Sequence, residues 1–155
     1  MTNIPNSNNC MFKTPFIRSA IINIWENAQE HNMGTNQPQI YACPAEILQK
    51  LIQFNTTNPP GNEAECIAYI RELLTEAGIE STILAKTPNR PNLIAQIKGA
   101  GKAKPILLYG HVDVVTTESQ KWDHPPFEGK IVDGVVWGRG ALDMKGGVAM
   151  MVAAF

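Results

Sequence analysis

Pro105-Ile106-Leu107-Leu108-Tyr109-Gly110-His111-Val112-Asp113-Val114-Val115 is the stretch on which the fold turns. Ile106 to Tyr109 form a nearly continuous apolar run, the pattern of a central strand covered on both faces. If the extended run continues, His111 and Asp113 project to one side and Val112 to the other, because side chains alternate along a strand. One face is then polar and the other packs. In open α/β sheets ligands bind beyond the carboxyl ends of strands, and His111 and Asp113 stand where this apolar run finishes.

The pattern on either side supplies the rest of an α/β fold. Upstream, Pro44 suits a first helical position, and Ile47, Leu48, Leu51, Ile52 and Phe54 recur at near-helical spacing until the breaker Asn58-Pro59-Pro60-Gly61. A second helix is expected over residues 62–77, with Cys66, Ile67, Ile70, Leu73 and Leu74 on its apolar face and Gly78 placed for a left-handed cap. Short β-rich runs bounded by glycine and proline predict strands at 81–85, 92–98 and 105–111. Downstream, Lys130-Ile131-Val132 and Val135-Val136-Trp137 alternate about Asp133-Gly134, a strong two-residue hairpin signal. Residues 144–155 read as a helix rich in alanine and methionine. The expected architecture is a partial mixed sheet flanked by helices.

Composition narrows the class. The chain has 155 residues, 44% of them hydrophobic, enough for a core, and one domain is expected. A formal net charge of −1 leaves no basic surface for phosphates, so no nucleic-acid partner is expected. Residues 1–40 are asparagine-rich and read as a poorly ordered extension with one short amphipathic helix at 16–28; the folded unit spans 41–155. The apolar stretch 16–25 is interrupted by Arg18, Ser19 and Asn23 and lacks a cleavage pattern, which argues against a signal peptide or a membrane span. Cys10, Cys43 and Cys66 are odd in number and far apart, so idle or buried thiols are expected rather than a disulfide framework. A reducing, cytoplasmic setting follows from these expectations.

Gly138-Arg139-Gly140-Ala141-Leu142-Asp143-Met144-Lys145-Gly146-Gly147 carries the second group of chemical interest. A histidine and two carboxylates are ligand types for borderline or hard divalent cations. A neutral imidazole can give one nitrogen to a metal while the other donates to a carboxylate, which makes Asp113 the candidate orienter of His111. Asp143, set among glycines, can use both oxygens, as a carboxylate bridging two cations does. A lone His-x-Asp is usually structural; the joined Asp143 segment is what favours a metal. Lys145 is expected to face solvent or a carboxylate, Arg139 to bond loop carbonyls, and His124 to be a solvated loop residue. Trp122, Phe127 and Trp137 are expected as anchors for the loop and hairpin.

These motifs resemble the M20 family of metallopeptidases and amidohydrolases. The Gly110-His111-Val112-Asp113-Val114-Val115 segment is similar to the family's first metal motif, and Gly138 to Gly147 to its second. The segment from Trp122 to Lys130 resembles the stretch between them. The resemblance spans about residues 43–155. It implies the N-terminal half of a zinc-peptidase-like catalytic domain, in which His111 ligates one metal, Asp143 bridges two and Asp113 orients His111. It also implies two divalent ions, zinc foremost with cobalt or manganese as substitutes, and a small peptide or N-acyl amino acid as substrate. A homodimer of the full-length protein and a cis Asp143–Met144 peptide belong to the same expectation. Since the family's remaining acidic and histidine ligands fall outside this sequence, hydrolysis is expected of the full protein and not of the 155-residue chain alone. The alternative is a non-catalytic metal-binding or interaction module.

Overall fold

The computed structural model describes residues 43–155, which lie within the compact unit Gln39–Phe155. The zone 1–40, with the short helix expected at 16–28, lies outside the described residues. Two helices come first, α1 (Pro44–Gln53) and α2 (Ala64–Glu76). Pro44 opens α1, where its missing N–H costs nothing. Ile47, Leu51 and Ile52 form the buried stripe of α1. Cys66, Ile67, Ile70, Leu73 and Leu74 form that of α2, and Gly78 turns the chain at φ +75° just beyond it. Most of the apolar positions read from the sequence bury, while Leu48 and Phe54 are half-buried against the core.

Strands β1 (Ser81–Ala85) and β2 (Pro91–Ala95) pair antiparallel, from Ser81 opposite Ala95 to Ala85 opposite Pro91, and lie against α2. β3 (Lys130–Val132) and β4 (Val135–Trp137) form a second hairpin. Its turn places Asp133 at φ 51° and Gly134 at φ 78°, the paired positive torsions that an Asp-Gly turn supplies. A turn over Ala141–Lys145 leads into α3 (Gly146–Ala154), which packs on α1. The core joins Ile47 and Leu51 of α1, the stripe of α2, Val112, and Val148 and Ala149 of α3. Helices and small antiparallel sheets make the unit mixed α/β, as expected.

The central strand is the clear departure. Residues 105–111 form no ladder, and Ile106, Leu107 and Tyr109 are 87%, 84% and 83% exposed. An apolar run becomes a covered strand only where neighbours pair with its edges and layers cover its faces, and no described strand does so here. Pairing begins one step later, where Val114 bridges Thr57 in parallel. The Val114 N–H donates to the Thr56 carbonyl (3.0 Å), and the Asn58 N–H donates to the Val114 carbonyl (2.8 Å). The predicted alternation does appear around it: Val112 and Val114 are buried while His111 faces out. Strand β2 also ends earlier than expected, at Ala95, because its partner strand begins at Ser81. Cys43 is disulfide-bonded, against the expectation of an idle thiol, whereas Cys66 is a buried free thiol as expected.

Candidate active site

The segment after Tyr109 is anchored by its inward side chains, and the chemistry sits on the outward ones. Val112 and Val114 bury, and the Thr56 hydroxyl donates to the Val112 carbonyl, so the backbone is fixed from beneath. His111 and Asp113 are thereby presented together. Nδ1 of His111 lies 3.1 Å from Oδ1 of Asp113 and 3.1 Å from its backbone carbonyl. Both of those oxygens only accept, so Nδ1 carries the proton and donates. In the neutral ring Nε2 then carries the lone pair, and it faces Oδ1 of Asp143 at 3.2 Å.

Asp143 reaches that point through an unusual turn. Gly140 adopts φ 82°, and a Cβ there would also lie 2.7 Å from Cγ1 of Val114, so glycine is required on both counts. The Lys145 N–H closes the turn on the Gly140 carbonyl at 2.8 Å, while Asp143 and Met144 leave helical torsions inside it. The Asp143–Met144 peptide is cis, as the family resemblance implies. The result is a carboxylate with 89% of its side chain exposed, aimed at the imidazole.

Lys145 departs from expectation. It faces neither solvent nor a carboxylate: the side chain is fully buried, and Nζ donates to the carbonyls of Leu51 and Phe54, each at 2.8 Å. These are carbonyls at the end of α1, where a cation also meets the negative end of the helix dipole. Burial pushes the Lys145 ammonium below its ordinary pKa, with the neighbouring Cys66 opposing. The same burial pushes the Cys66 thiol up to about 11, against Lys145 and with Glu63. Through this bond the Asp143 turn is tied to α1.

Three side chains that sequence reasoning passed over back the site. Nδ2 of Asn58 donates to Oδ2 of Asp113 at 2.9 Å, a guanidinium nitrogen of Arg90 lies 3.8 Å from the same oxygen, and Nε of Arg90 donates to buried Glu63 at 3.2 Å. The Asn58 hydrogen bond foremost, then the charge and hydrogen bond of His111 and the charge of Arg90, hold the Asp113 carboxyl below its usual range against partial burial. The available signal was Asn58-Pro59-Pro60-Gly61, read only as a breaker. Arg139 behaves as expected: it donates to the Thr116 carbonyl (3.3 Å) and to Gln120, and its guanidinium lies over the Trp122 ring at 5.0 Å. His124 is half-buried edge-on against Trp137, centroids 5.1 Å apart, rather than solvated, and stands apart from the site in its contacts.

His111, Asp113 and Asp143 are thus brought together from two segments. With Nδ1 protonated and held by one carboxylate, a neutral ring leaves two acceptors, Nε2 and the Asp143 oxygen, facing each other. That pairing suits a shared cation, and the imidazole and carboxylate donors fit zinc or its relatives. No group of three or more His, Cys, Asp or Glu side chains that could hold a metal occurs among the described residues. Residues 107–155, which contain both motifs, match Peptidase family M20/M25/M40.

Those residues carry a segment of that family.

The chain is 42% identical over 117 residues to a succinyl-diaminopimelate desuccinylase of Methylorubrum populi, covering 72% of the chain and 29% of the relative. It is 38% identical over 112 residues to an N-formyl-4-amino-5-aminomethyl-2-methylpyrimidine deformylase of Halalkalibacterium halodurans, covering 70% of the chain and 26% of the relative. A probable succinyl-diaminopimelate desuccinylase of Staphylococcus epidermidis is 38% identical over 110 residues, with 70% and 26% covered. The chain therefore spans less than a third of the length of the curated relatives it matches. No helix among the described residues is long and apolar enough to cross a membrane.

Proposed function

We propose that this chain carries one wall of a metal-dependent amide hydrolase site, in which His111 and Asp143 are ligands and Asp113 orients His111. The observation that supports this reading is the 3.2 Å approach of Nε2 of His111 to Oδ1 of Asp143, with Nδ1 occupied by Asp113. Two aligned acceptors are repulsive unless a cation or a proton lies between them. A bound divalent ion, zinc foremost with cobalt or manganese as substitutes, would supply Lewis-acid polarisation of an amide carbonyl. Asp143, able to offer both oxygens, is the residue for bridging a second ion.

The chain's own part in the reaction is to hold ligands in place. Asp113 fixes the imidazole so that Nε2 is available, and the buried Lys145 fixes the turn that presents Asp143. Catalytic zinc sites ordinarily take three protein ligands. His111 and Asp143 give two, so the 155-residue chain binds zinc weakly and does not turn over alone, in keeping with the N-terminal part of a catalytic domain. Relatives named for removal of a succinyl and a formyl group point to acylated nitrogen as the common substrate feature, and small N-acyl amino acids or peptides are the proposed class.

Zinc titration followed by calorimetry tests the reading: the wild-type chain binds, and His111→Ala or Asp143→Ala abolishes the signal. Binding unchanged in both variants overturns it. Zinc-dependent release of amino acid from N-succinyl or N-formyl amino acids by the chain alone overturns the inactivity. One observation favours a second reading, an interaction module: the exposed apolar run Ile106, Leu107 and Tyr109. Apolar surface of this kind drives association. Light scattering that finds a monomer with bound zinc at equal stoichiometry supports the hydrolase wall; a defined assembly indifferent to zinc supports the module.

A further inference from the structure

Asp113 is gripped from the side opposite His111. The Asn58 main chain is fixed to the segment it serves by its N–H bond to the Val114 carbonyl (2.8 Å), and its side-chain amide donates to Oδ2 of Asp113 at 2.9 Å. That choice of oxygen leaves Oδ1 for Nδ1 of His111, 3.1 Å away. Behind Asn58 stands Arg90, within 3.8 Å of the same Oδ2, with its Nε on Glu63 at 3.2 Å. Glu63 is only 5% exposed, and its own N–H donates to the Asn89 carbonyl at 2.8 Å, so side chain and main chain both hold the Arg90 loop. Gly61, at φ +87°, completes the arrangement: a Cβ there would lie 2.6 Å from Nε of Arg90, in the space the guanidinium needs. Residues from the α1–α2 loop and the β1–β2 loop therefore converge on one carboxylate.

We propose that Asn58, backed by the Glu63–Arg90 pair, is the positioning residue of the site: it holds the Asp113 carboxylate with an oxygen beside Nδ1 of His111 and so favours the proton on that nitrogen. A carboxylate free to rotate would offer either oxygen, or neither, to Nδ1. Without that carboxylate only the Asp113 main-chain carbonyl accepts at Nδ1, while the Asp143 oxygen competes for a proton on Nε2, so Nε2 is available for less of the time. The proposal rests on the reading of Nε2 as the ligand atom. It assigns a purpose to the Asn-Pro-Pro-Gly segment beyond ending a helix.

The test uses the 155-residue chain with nitrogen-15-labelled histidine, free of metal and at a pH where the ring is neutral. Long-range proton–nitrogen correlation reads the His111 tautomer, and calorimetry reads zinc affinity separately. Wild type shows the Nδ1–H form. Asn58→Asp keeps the shape but replaces the donor by an acceptor; it gives a mixture of tautomers and weakens zinc binding about tenfold, the lower end of what loss of an outer partner costs. Asn58→Gln, which retains the amide, recovers part of the tautomer preference. Arg90→Gln, altering a side chain that is 44% exposed, moves both readouts in the same direction by less. Asn58→Asp and Arg90→Gln both within twofold of wild type on both readouts, with unchanged far-ultraviolet dichroism, overturn the proposal. Should Asn58→Asp not fold, Arg90→Gln decides alone on the same criterion. A wild-type chain that binds no zinc but whose tautomer responds to these variants sinks the metal reading and sustains the positioning.

Discussion

Replacing Lys145 by methionine removes one ammonium and keeps most of a side chain that is wholly buried. Nζ donates to the carbonyls of Leu51 and Phe54, each at 2.8 Å, across more than ninety residues of sequence. Hydrogen bonds from a charged donor contribute about 1.5–3 kcal/mol each, so the gross loss is about 3–6 kcal/mol. Relief of burying the ammonium returns part of this, because taking a cation out of water costs several kcal/mol. Leu51 retains a second donor, the Phe54 N–H at 3.3 Å, which leaves the Phe54 carbonyl as the main casualty. A net destabilisation of about 1–3 kcal/mol follows, the range for a polar group deprived of its partner. Urea unfolding followed by circular dichroism measures it as a lower midpoint at unchanged slope. Lys145→Ala also removes the stem and opens a cavity, adding about 2–4 kcal/mol by analogy with large-to-small core changes. A methionine variant within 0.5 kcal/mol of wild type, a margin typical of surface substitutions, would falsify the anchoring role.

Three further outcomes are expected. Cys66 titrates near 11 in the fold against an ordinary 9.0, a raised acid pKa, so the unfolded chain loses its proton first; stability is full below pH 9 and falls between 9 and 11. The loss amounts to about 3 kcal/mol, and Cys66→Ala should flatten that limb of a stability-against-pH curve; an unchanged limb refutes the assignment. Of the two adjacent glycines at the start of α3, Gly146 abuts the Ala141 carbonyl oxygen whereas Gly147 meets only the flexible end of Met144, at 3.3 Å. Gly146→Ala should therefore lower the melting temperature through about 1–3 kcal/mol of overpacking, while Gly147→Ala is neutral or gains the ordinary helix preference for alanine; equal effects would contradict the contact. Gly140→Ala should be costly on both torsion and contact, and should weaken zinc binding more than Gly134→Ala, which meets nothing within 4 Å; the reverse order in calorimetry refutes the role given to the turn.

What the sequence displayed was whatever is decided locally. Helix α1 was legible because Pro44 and the Ile47-Leu51-Ile52 stripe need no distant partner to be recognised, and the β3–β4 hairpin because Asp133-Gly134 demands positive φ at both positions. Gly78 ended α2 where its left-handed torsion predicts. The run at 106–109 failed for the complementary reason: its apolar pattern states what the strand would bury, and the covering layers are not among the described residues. Alternation, a purely local property, survived there nonetheless, with Val112 and Val114 in and His111 out.

The site divides along the same line. His111, Asp113 and Asp143 announce themselves by residue type and glycine framing, yet what fixes their geometry is non-local and chemically ordinary. Lys145 acts on α1 carbonyls 91 and 94 residues away, and Asn58 acts on a carboxylate 55 residues away. Nothing in a single sequence distinguishes such a lysine or asparagine from a solvated one. Both residues, however, lie in segments that the backbone already constrains: Asn58 before two prolines, Lys145 at the close of the Gly140 turn. Each sits where the main chain is held by its own hydrogen bonds; the Asn58 side chain passes that fixity to Asp113, and the Lys145 side chain ties the turn carrying Asp143 to α1. The Asp113 carboxylate and the main-chain turn that carries Asp143 are thus each anchored through a different helix-flanking segment. On the proposed reading, a cation arriving at His111 would meet an imidazole whose ordering cost has largely been met in folding.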